Sequence, residues 1–515
     1  MRSKLWATAA AAVLATSLCG ANISAREPAT PGVVENANPV QPSGTLRYSF
    51  YILPTSYDPH RSTNSYDFIG LALVYDRLIH LTPQGQPVPG LATEWTFSDD
   101  GLSLELTIRA GVTFHDGEPL TADAVKASLD RALSLEGSTA AQSLSTIESV
   151  EVAGPDTVAL TLTQPNAGLP LLLADRAGMI ISPAALDNAD LDTAPVGTGM
   201  FELSELRPAE LATYTAYDGY WDPDAVRVER VEYRQHPDLS TALNAIRAGE
   251  LDVAPIEPAN IDLAEQAGLE IVSGPTISLQ GIQVNRSIEP FDDVRVRQAI
   301  LLAIDEQALI EGLFDGRGTP AGQLFNESSN AYNPEVGSDP YPYDPDRARA
   351  LLDEAGLGDG FEMELIASTI PAHQSLAAAV QAQLADVGIT VTVRSLAPAD
   401  VNETAYVRQE LITQLTFPAT LDPGTLLRDY FGIDSFRNPG RASTPEILAA
   451  MDAADLPGEG HDAALQAASA IAVEQALVMP LVFPDGNYAV APTVEDFQHW
   501  TTAKPEFRGV AVAGS

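Results

Sequence analysis

The sequence predicts an α/β protein of about three domains, with a strand-rich first part and a later lobe in which helices and strands alternate. Three observations carry this expectation. At 515 residues the chain is several times longer than one ordinary domain. Leu102, Leu104, Leu106 and Ile108 alternate with Ser, Glu and Thr, the period-two signature of a half-buried strand. Further on, a helical stripe, a glycine and a short apolar run recur in that order, the pattern of an α/β layer. Hydrophobic residues at 45% and charged residues at 19% are globular values, and the 37 Gly and 38 Pro are scattered, which excludes collagen-like and wholly disordered classes.

The first 25 residues read as an export signal. Met1-Arg-Ser-Lys-Leu-Trp6 is a positive start, Ala7 to Leu18 a short apolar run, and Gly20 to Ala25 a small and polar stretch that suits cleavage after Ala25. The apolar run is shorter than the roughly 20 residues of a membrane span. Leu169 to Ser182, the next candidate, is interrupted by Asp175 and Arg176. Cys19, the single cysteine, admits a lipid-anchored reading, but Leu18 stands where that motif wants a small residue, which favours an ordinary signal-peptide cysteine. Without Cys19 the exported chain has no disulfide, thiolate metal site or cysteine nucleophile.

Residues 26–43 lack apolar periodicity and read as a flexible leader. Gly44 to Leu53 is a strand candidate ending at Pro54. Val150 and Val152, then Gly154-Pro-Asp156, then Val158, Leu160 and Leu162 form a hairpin. A helix is expected from the capping Asp238 through Leu239, Ala242, Leu243 and Ile246 to Gly249, followed by a strand from Leu251 to Ala254. Val296, Ala299, Ile300, Ala303 and Ile304 form another stripe, and Asp344-Pro345 opens a helix ending at Gly356. Ser375 to Asp386, Gly388 and Ile389 to Val393 repeat the helix–glycine–strand order.

Charge and motif content narrow the function. With 70 Asp plus Glu against 28 Lys plus Arg the formal net charge is −42, and the lysines are Lys4, Lys126 and Lys504 alone. Nucleic acids and anionic membranes are therefore disfavoured partners. The seven histidines form no His-Glu-x-x-His pair, and no Gly-x-Ser-x-Gly or Ser-x-x-Lys is present. Gly316-Arg-Gly-Thr-Pro-Ala-Gly322 follows a helix and departs from the dinucleotide spacing, so it reads as a turn. His115-Asp116-Gly117 likewise reads as a hydrogen-bonded turn.

Six blocks occur in an order that resembles the extracytoplasmic solute-binding proteins of the oligopeptide/dipeptide/nickel-binding family, the capture subunits of ABC importers. The most specific is Leu91-Ala-Thr-Glu-Trp-Thr-Phe-Ser-Asp-Asp-Gly-Leu102, running on through Ile108-Arg-Ala-Gly-Val-Thr-Phe-His-Asp-Gly117 to Pro119-Leu-Thr-Ala-Asp-Ala-Val125. The others are Thr45-Leu-Arg47 with Tyr57-Asp-Pro-His60, Val196-Gly-Thr-Gly-Met-Phe201 with Tyr220-Trp221, Ala248-Gly-Glu-Leu-Asp252, Pro290 to Ile300, and Tyr343-Asp-Pro345.

The resemblance implies a two-lobed periplasmic binding protein fold with an extra strand-rich domain, three interleaved domains in all. Domain I would take 44–72, 192–281 and 488–515, domain II 73–191, and domain III 282–487. Asp292 and Asp344 become helix caps that specify the fold. The implied function is capture of a peptide-like or other small polar solute between the lobes, without catalysis, cofactor or bound metal, and delivery to an ABC permease with its ATPase subunits. A monomer in the periplasm or on the outer face of the cytoplasmic membrane is expected. The alternatives are an exported hydrolase or a solute sensor on the same fold.

Ligand contacts implied by the resemblance are Thr55, Ser56 and Tyr57 after the first strand, Gln280 and Ile282 before the crossing into lobe two, and Thr416, Phe417, Ala419 and Asp422 in a late loop. Peptide-binding members carry an aspartate at the position of Ala419, where it pairs with the peptide's amino terminus. A buried ammonium without that carboxylate is costly, so Ala419 argues against free α-amino peptides unless Asp422 takes the role. The 70 acids are required by no motif and read as a solvated surface. Salt screens such self-repulsion over about 8 Å or less. The unfolding temperature of the purified protein should therefore rise with added sodium chloride; one that is flat or falling would contradict this reading.

Overall fold

The computed structural model describes residues 41–397, 400, 401, 403, 404, 412–417 and 420–513, with the backbone alone for 412–417. The export signal, most of the leader and Ala419 lie outside the described residues. Residues Val40–Ser515 form one compact unit.

A twelve-stranded sheet runs through this unit. From edge to edge its strands are Ile389–Leu396, Phe361–Ser368, Ile412–Phe417, Leu279–Val284, Met479–Val490, Val253–Pro255, Thr45–Phe50, Arg230–Gln235, Leu211–Ala216 and Phe201–Arg207, with Glu270–Pro275 and Gly318–Pro320 also paired to Met479–Val490. The twelve-residue strand Met479–Val490 is common to both lobes. Its first half pairs with Leu279–Val284, Ile282 opposite Met479 and Gln280 opposite Val482. Its second half pairs with Glu270–Pro275, from Pro275 opposite Asp485 to Glu270 opposite Val490. The chain thus crosses between lobes twice, at 276–278 and at 484–486, on adjacent antiparallel strands. Thr276, buried at the first crossing, donates its hydroxyl to the Pro484 carbonyl at the second, 2.8 Å away. Gly274 pairs with Gly486, and a Cβ at 274 would meet His499 Nδ1 at 2.8 Å, so this ribbon is thin where it bends.

Separate buried clusters flank the crossing. One draws on Leu46, Tyr48, Phe201, Tyr214, Tyr233, Val253 and Phe507, a second on Val284, Ile300, Leu352, Leu365, Val380 and Leu481. A third belongs to the strand-rich domain, whose sheet Ala92–Phe97, Ser103–Ile108, Thr157–Leu162, Ile147–Gly154 packs under helix Ala122–Ser134. The C-terminal segment ties that domain to lobe one: Trp500 joins its core, and Glu506 forms a two-pronged ion pair with Arg77 at 2.8 Å on each side. Both side chains are at most 5% exposed.

Local chemistry explains the element ends. Thr45–Phe50 stops short of the expected Leu53 because side chains take over the ladder: Tyr233 Oη donates to the Ile52 carbonyl and Leu53 N–H donates to Gln235 Oε1. The hairpin Ile147–Gly154 and Thr157–Leu162 forms as expected. Asp238 caps Leu239–Arg247 by accepting from Thr241 N–H, and Gly249 (φ +73°) ends that turn. Asp344 caps Pro345–Glu354. One cap is corrected. Helix Val294–Leu302 is capped by Asp293, which accepts from Arg295 N–H, whereas Asp292 stands one residue too early to face the first-turn amides. Helix Pro371–Ala385 begins four residues before Ser375 because Pro371 is preset for the first helical position. Residues 316–322 form a turn and the short strand Gly318–Pro320.

The Arg77–Glu506 pair is expected to be structural, since removing one member leaves a charge in a dry interior. Glu506→Ala should lower urea-unfolding stability by about 3–5 kcal/mol, while Arg77→Met with Glu506→Leu should recover most of that loss. Equal destabilisation of the single and double variants would contradict this assignment.

Candidate functional site

A cavity of about 520 Å³ lies between lobe two and the strand-rich domain, with lobe one contributing Pro59, Ser65 and Lys504. Its lobe-two wall is helix Pro423–Phe431 with the segments after it. The opposite wall is the stretch from Thr139 to Ala177. A second cavity, of about 530 Å³, shares Leu171, Thr420, Leu421 and His461 with the first and is lined on its far side by Trp95, Phe97, Phe325 and Phe483.

In a chain of net charge −42 the first cavity is an exception. Among the described residues its walls carry the cations Arg176, Arg428, Arg437 and Lys504 against Asp175, Asp422, Asp429 and Asp455. Arg437 lies 3.2 Å from Asp429 and its guanidinium sits over Phe436. Arg428 pairs with Asp455, its Nε donating at 3.1 Å. Lys504, with a side chain only 8% exposed, lies 3.6 Å from Asp175 and 5.3 Å from the centre of the Phe68 ring. Arg176 Nη1 is held by the Ser62 carbonyl and hydroxyl, both at 2.6 Å.

Scarce water is felt in these groups. Burial raises the Asp429 carboxyl above its usual range although Arg437 opposes it, and burial lowers Arg428. Burial also pushes Asp175 upward, but Lys504, Arg176 and its own hydrogen bond together hold it below the ordinary value. A solute carrying both carboxylate and ammonium groups could exchange partners with such pairs, and in a site of low polarity each exchange would be worth more than in water.

The residues expected from the sequence are distributed unevenly. Asp422 lines the first cavity, but its carboxylate caps helix Pro423–Phe431, accepting from Gly424 N–H at 3.1 Å, Thr425 N–H at 2.9 Å and the Thr425 hydroxyl at 2.7 Å. It is not poised for an ammonium. Two contacts are corrected outright. Tyr57 is fully buried in lobe one with its hydroxyl 2.5 Å from that of Tyr214, and Ile282 is 1% exposed inside the lobe-two core. Tyr57, in the loop after the first strand, and Ile282, on strand Leu279–Val284, both turn their side chains into a buried core. Thr55 is bound through its amide and hydroxyl to buried Asp67, and Ser56 donates to Asp192, so both side chains serve lobe one. Gln280 and Thr416 are cross-strand neighbours, as are Leu279 and Phe417; the side chains of Thr416 and Phe417, like all of Ala419, lie outside the described residues.

Sequence reasoning overlooked the cations. Two signals pointed to them: Lys504 is one of three lysines, and Asp175 and Arg176 interrupt an apolar run. His115-Asp116-Gly117 is a turn, as read: Gly117 (φ +86°) donates to the Phe114 carbonyl, His115 Nε2 lies 3.0 Å from the Gly199 carbonyl, and Asp116 accepts from Ser182.

Comparison with known proteins agrees with this architecture. The glutathione-binding protein GsiB of Salmonella typhimurium is 34% identical over 349 residues, 66% of this chain and 67% of that protein. Among solved structures, HbpA2 from Haemophilus parasuis matches with a TM-score of 0.81 at 25% identity, covering 92% of this chain and 100% of its own. An ABC transporter substrate-binding protein from Sinorhizobium meliloti matches with a TM-score of 0.75 at 25% identity, with coverage of 92% and 100%. Two lobes with an added strand-rich domain are thus the fold of binding proteins. Residues 86–435 match the family model for bacterial extracellular solute-binding proteins, family 5 Middle, and with more than half of its length matched the chain belongs to that family.

Proposed function

We propose that this chain is the substrate-binding subunit of an ABC importer and that it captures a small, zwitterionic, peptide-like solute in the 520 Å³ cavity between its lobes. The observation that carries the reading is the charge of that cavity, four cations facing four carboxylates in a strongly acidic protein. The volume lies within the roughly 300–1,000 Å³ of small-molecule sites. The name of the 34%-identical relative makes glutathione, a tripeptide with two carboxylates and one ammonium, the first solute to test; with Ala419 uncharged and Asp422 engaged as a cap, its ammonium would have to pair with Asp429 or Asp175 of the cavity.

In this reading 44–72, 192–281 and 488–515 form lobe one, 73–191 the inserted strand-rich domain and 282–487 lobe two. The hinge lies just before the boundaries at 281 and 487, at the crossings 276–278 and 484–486, so that 279–281 move with lobe two and Asn487 with lobe one. Closure about it removes water from the solute's charged groups and presents a closed surface to a permease and its ATPase subunits. The protein acts as an exported monomer and releases the solute unchanged.

Native mass spectrometry of protein purified without denaturation should reveal a bound small solute, and calorimetry should show reduced glutathione binding at one site. Arg437→Ala should weaken that binding about 10- to 100-fold, since a hydrogen bond to a charged group contributes about 1.5–3 kcal/mol. Binding indifferent to Arg437, or conversion of the solute to a product, would overturn the assignment.

A further inference from the structure

The strand-rich domain reaches across the cleft at two neighbouring loops. Ala167 N–H donates to the Asp455 carbonyl of lobe two at 3.0 Å. The next residue, Gly168, lies against the Asp422 carboxyl group so closely that a Cβ there would collide with its carbon and both its oxygens. Nearby, Gly101 abuts Pro457, where a Cβ would meet Cδ at 2.8 Å.

Gly168 does not owe its identity to its backbone. Its φ of −79° and ψ of −8° are open to any L-residue, so the space beside Asp422 is what demands a glycine. Nor can Asp422 move aside cheaply. Its two oxygens are held by the amides of Gly424 and Thr425 and by the Thr425 hydroxyl, the start of helix Pro423–Phe431. A methyl group at 168 would thus leave the loop of one part and the helix of the other intact while preventing their approach. This contact also lies between the two cavities, beside the Leu171, Thr420 and Leu421 that both share.

We propose that Gly168 on the helix-capping Asp422, with Ala167 on Asp455, is the latch that holds the lobes shut, and that Gly168 is a positioning residue for closure. The proposal rests on the solute-capture reading above. A protein unable to latch spends less time in the competent state, and its apparent affinity falls by that fraction.

Hydrogen exchange read by mass spectrometry tests this, with and without saturating reduced glutathione. In the wild type, residues 164–172 and 453–458 should be protected, more so with glutathione. Gly168→Ala should exchange about tenfold faster or more in both segments, with strand Ser103–Ile108 unchanged. Gly168→Ala with Asp422→Ser, which keeps a capping hydroxyl and removes the obstructing carboxylate, should regain protection. The latch is overturned if the wild type is unprotected in both conditions, if Gly168→Ala protects both segments as well as the wild type, or if the double variant recovers nothing. If glutathione leaves the wild type unchanged while Gly168→Ala loosens the solute-free protein, the choice of solute fails and the latch stands.

Discussion

Everything in this molecule is arranged around the pairing of Met479–Val490 with the two strands Glu270–Pro275 and Leu279–Val284. A strand shared by two lobes must satisfy its backbone in both, and here it does so by changing partner near Asp485. The apolar clusters follow the division, with Leu481 and Val482 packed in lobe two and Tyr488 and Val490 in lobe one. Between them the ribbon narrows to a Gly274–Gly486 pair under His499. Close-packed cores resist deformation, whereas a two-stranded ribbon without large side chains bends readily. In the proposed closure the lobes therefore move as bodies and the crossing is where they bend.

Charge is organised on the same plan. The acids are spread over the surface, while several of the few cations are gathered where the parts face one another. Two classes of pair result. Arg77 with Glu506 is dry and two-pronged, and it fastens the strand-rich domain to the C-terminal segment. Arg437 with Asp429 and Lys504 with Asp175 border the cavity at longer range and can accept new partners. The distinction lies in geometry and solvent access rather than in residue type.

The sequence made most local structure legible because its signals are local. Asp238, Asp344 and Gly249 are caps whose chemistry acts within one turn, and the Val150–Leu162 alternation is a hairpin's own pattern. Asp292 was one residue off because two adjacent aspartates offer the same signal and only the helix start chooses between them. The site was far less legible. Arg176, the neighbouring Arg428 and Arg437, and Lys504 come from three distant stretches of the chain that the fold brings together, which no local pattern encodes. Tyr57 and Ile282 were assigned to the ligand through their segments, but a segment beside the cleft also has a face turned into its lobe.

In the proposed closure two rigid lobes shut on a solute by bending at 276–278 and 484–486. Small-angle X-ray scattering with and without reduced glutathione measures this most directly. The account predicts a smaller radius of gyration in the bound state, fitted by rotating the lobes as intact bodies about that ribbon. A bound state of unchanged radius, or one that requires the lobes themselves to deform, would contradict it.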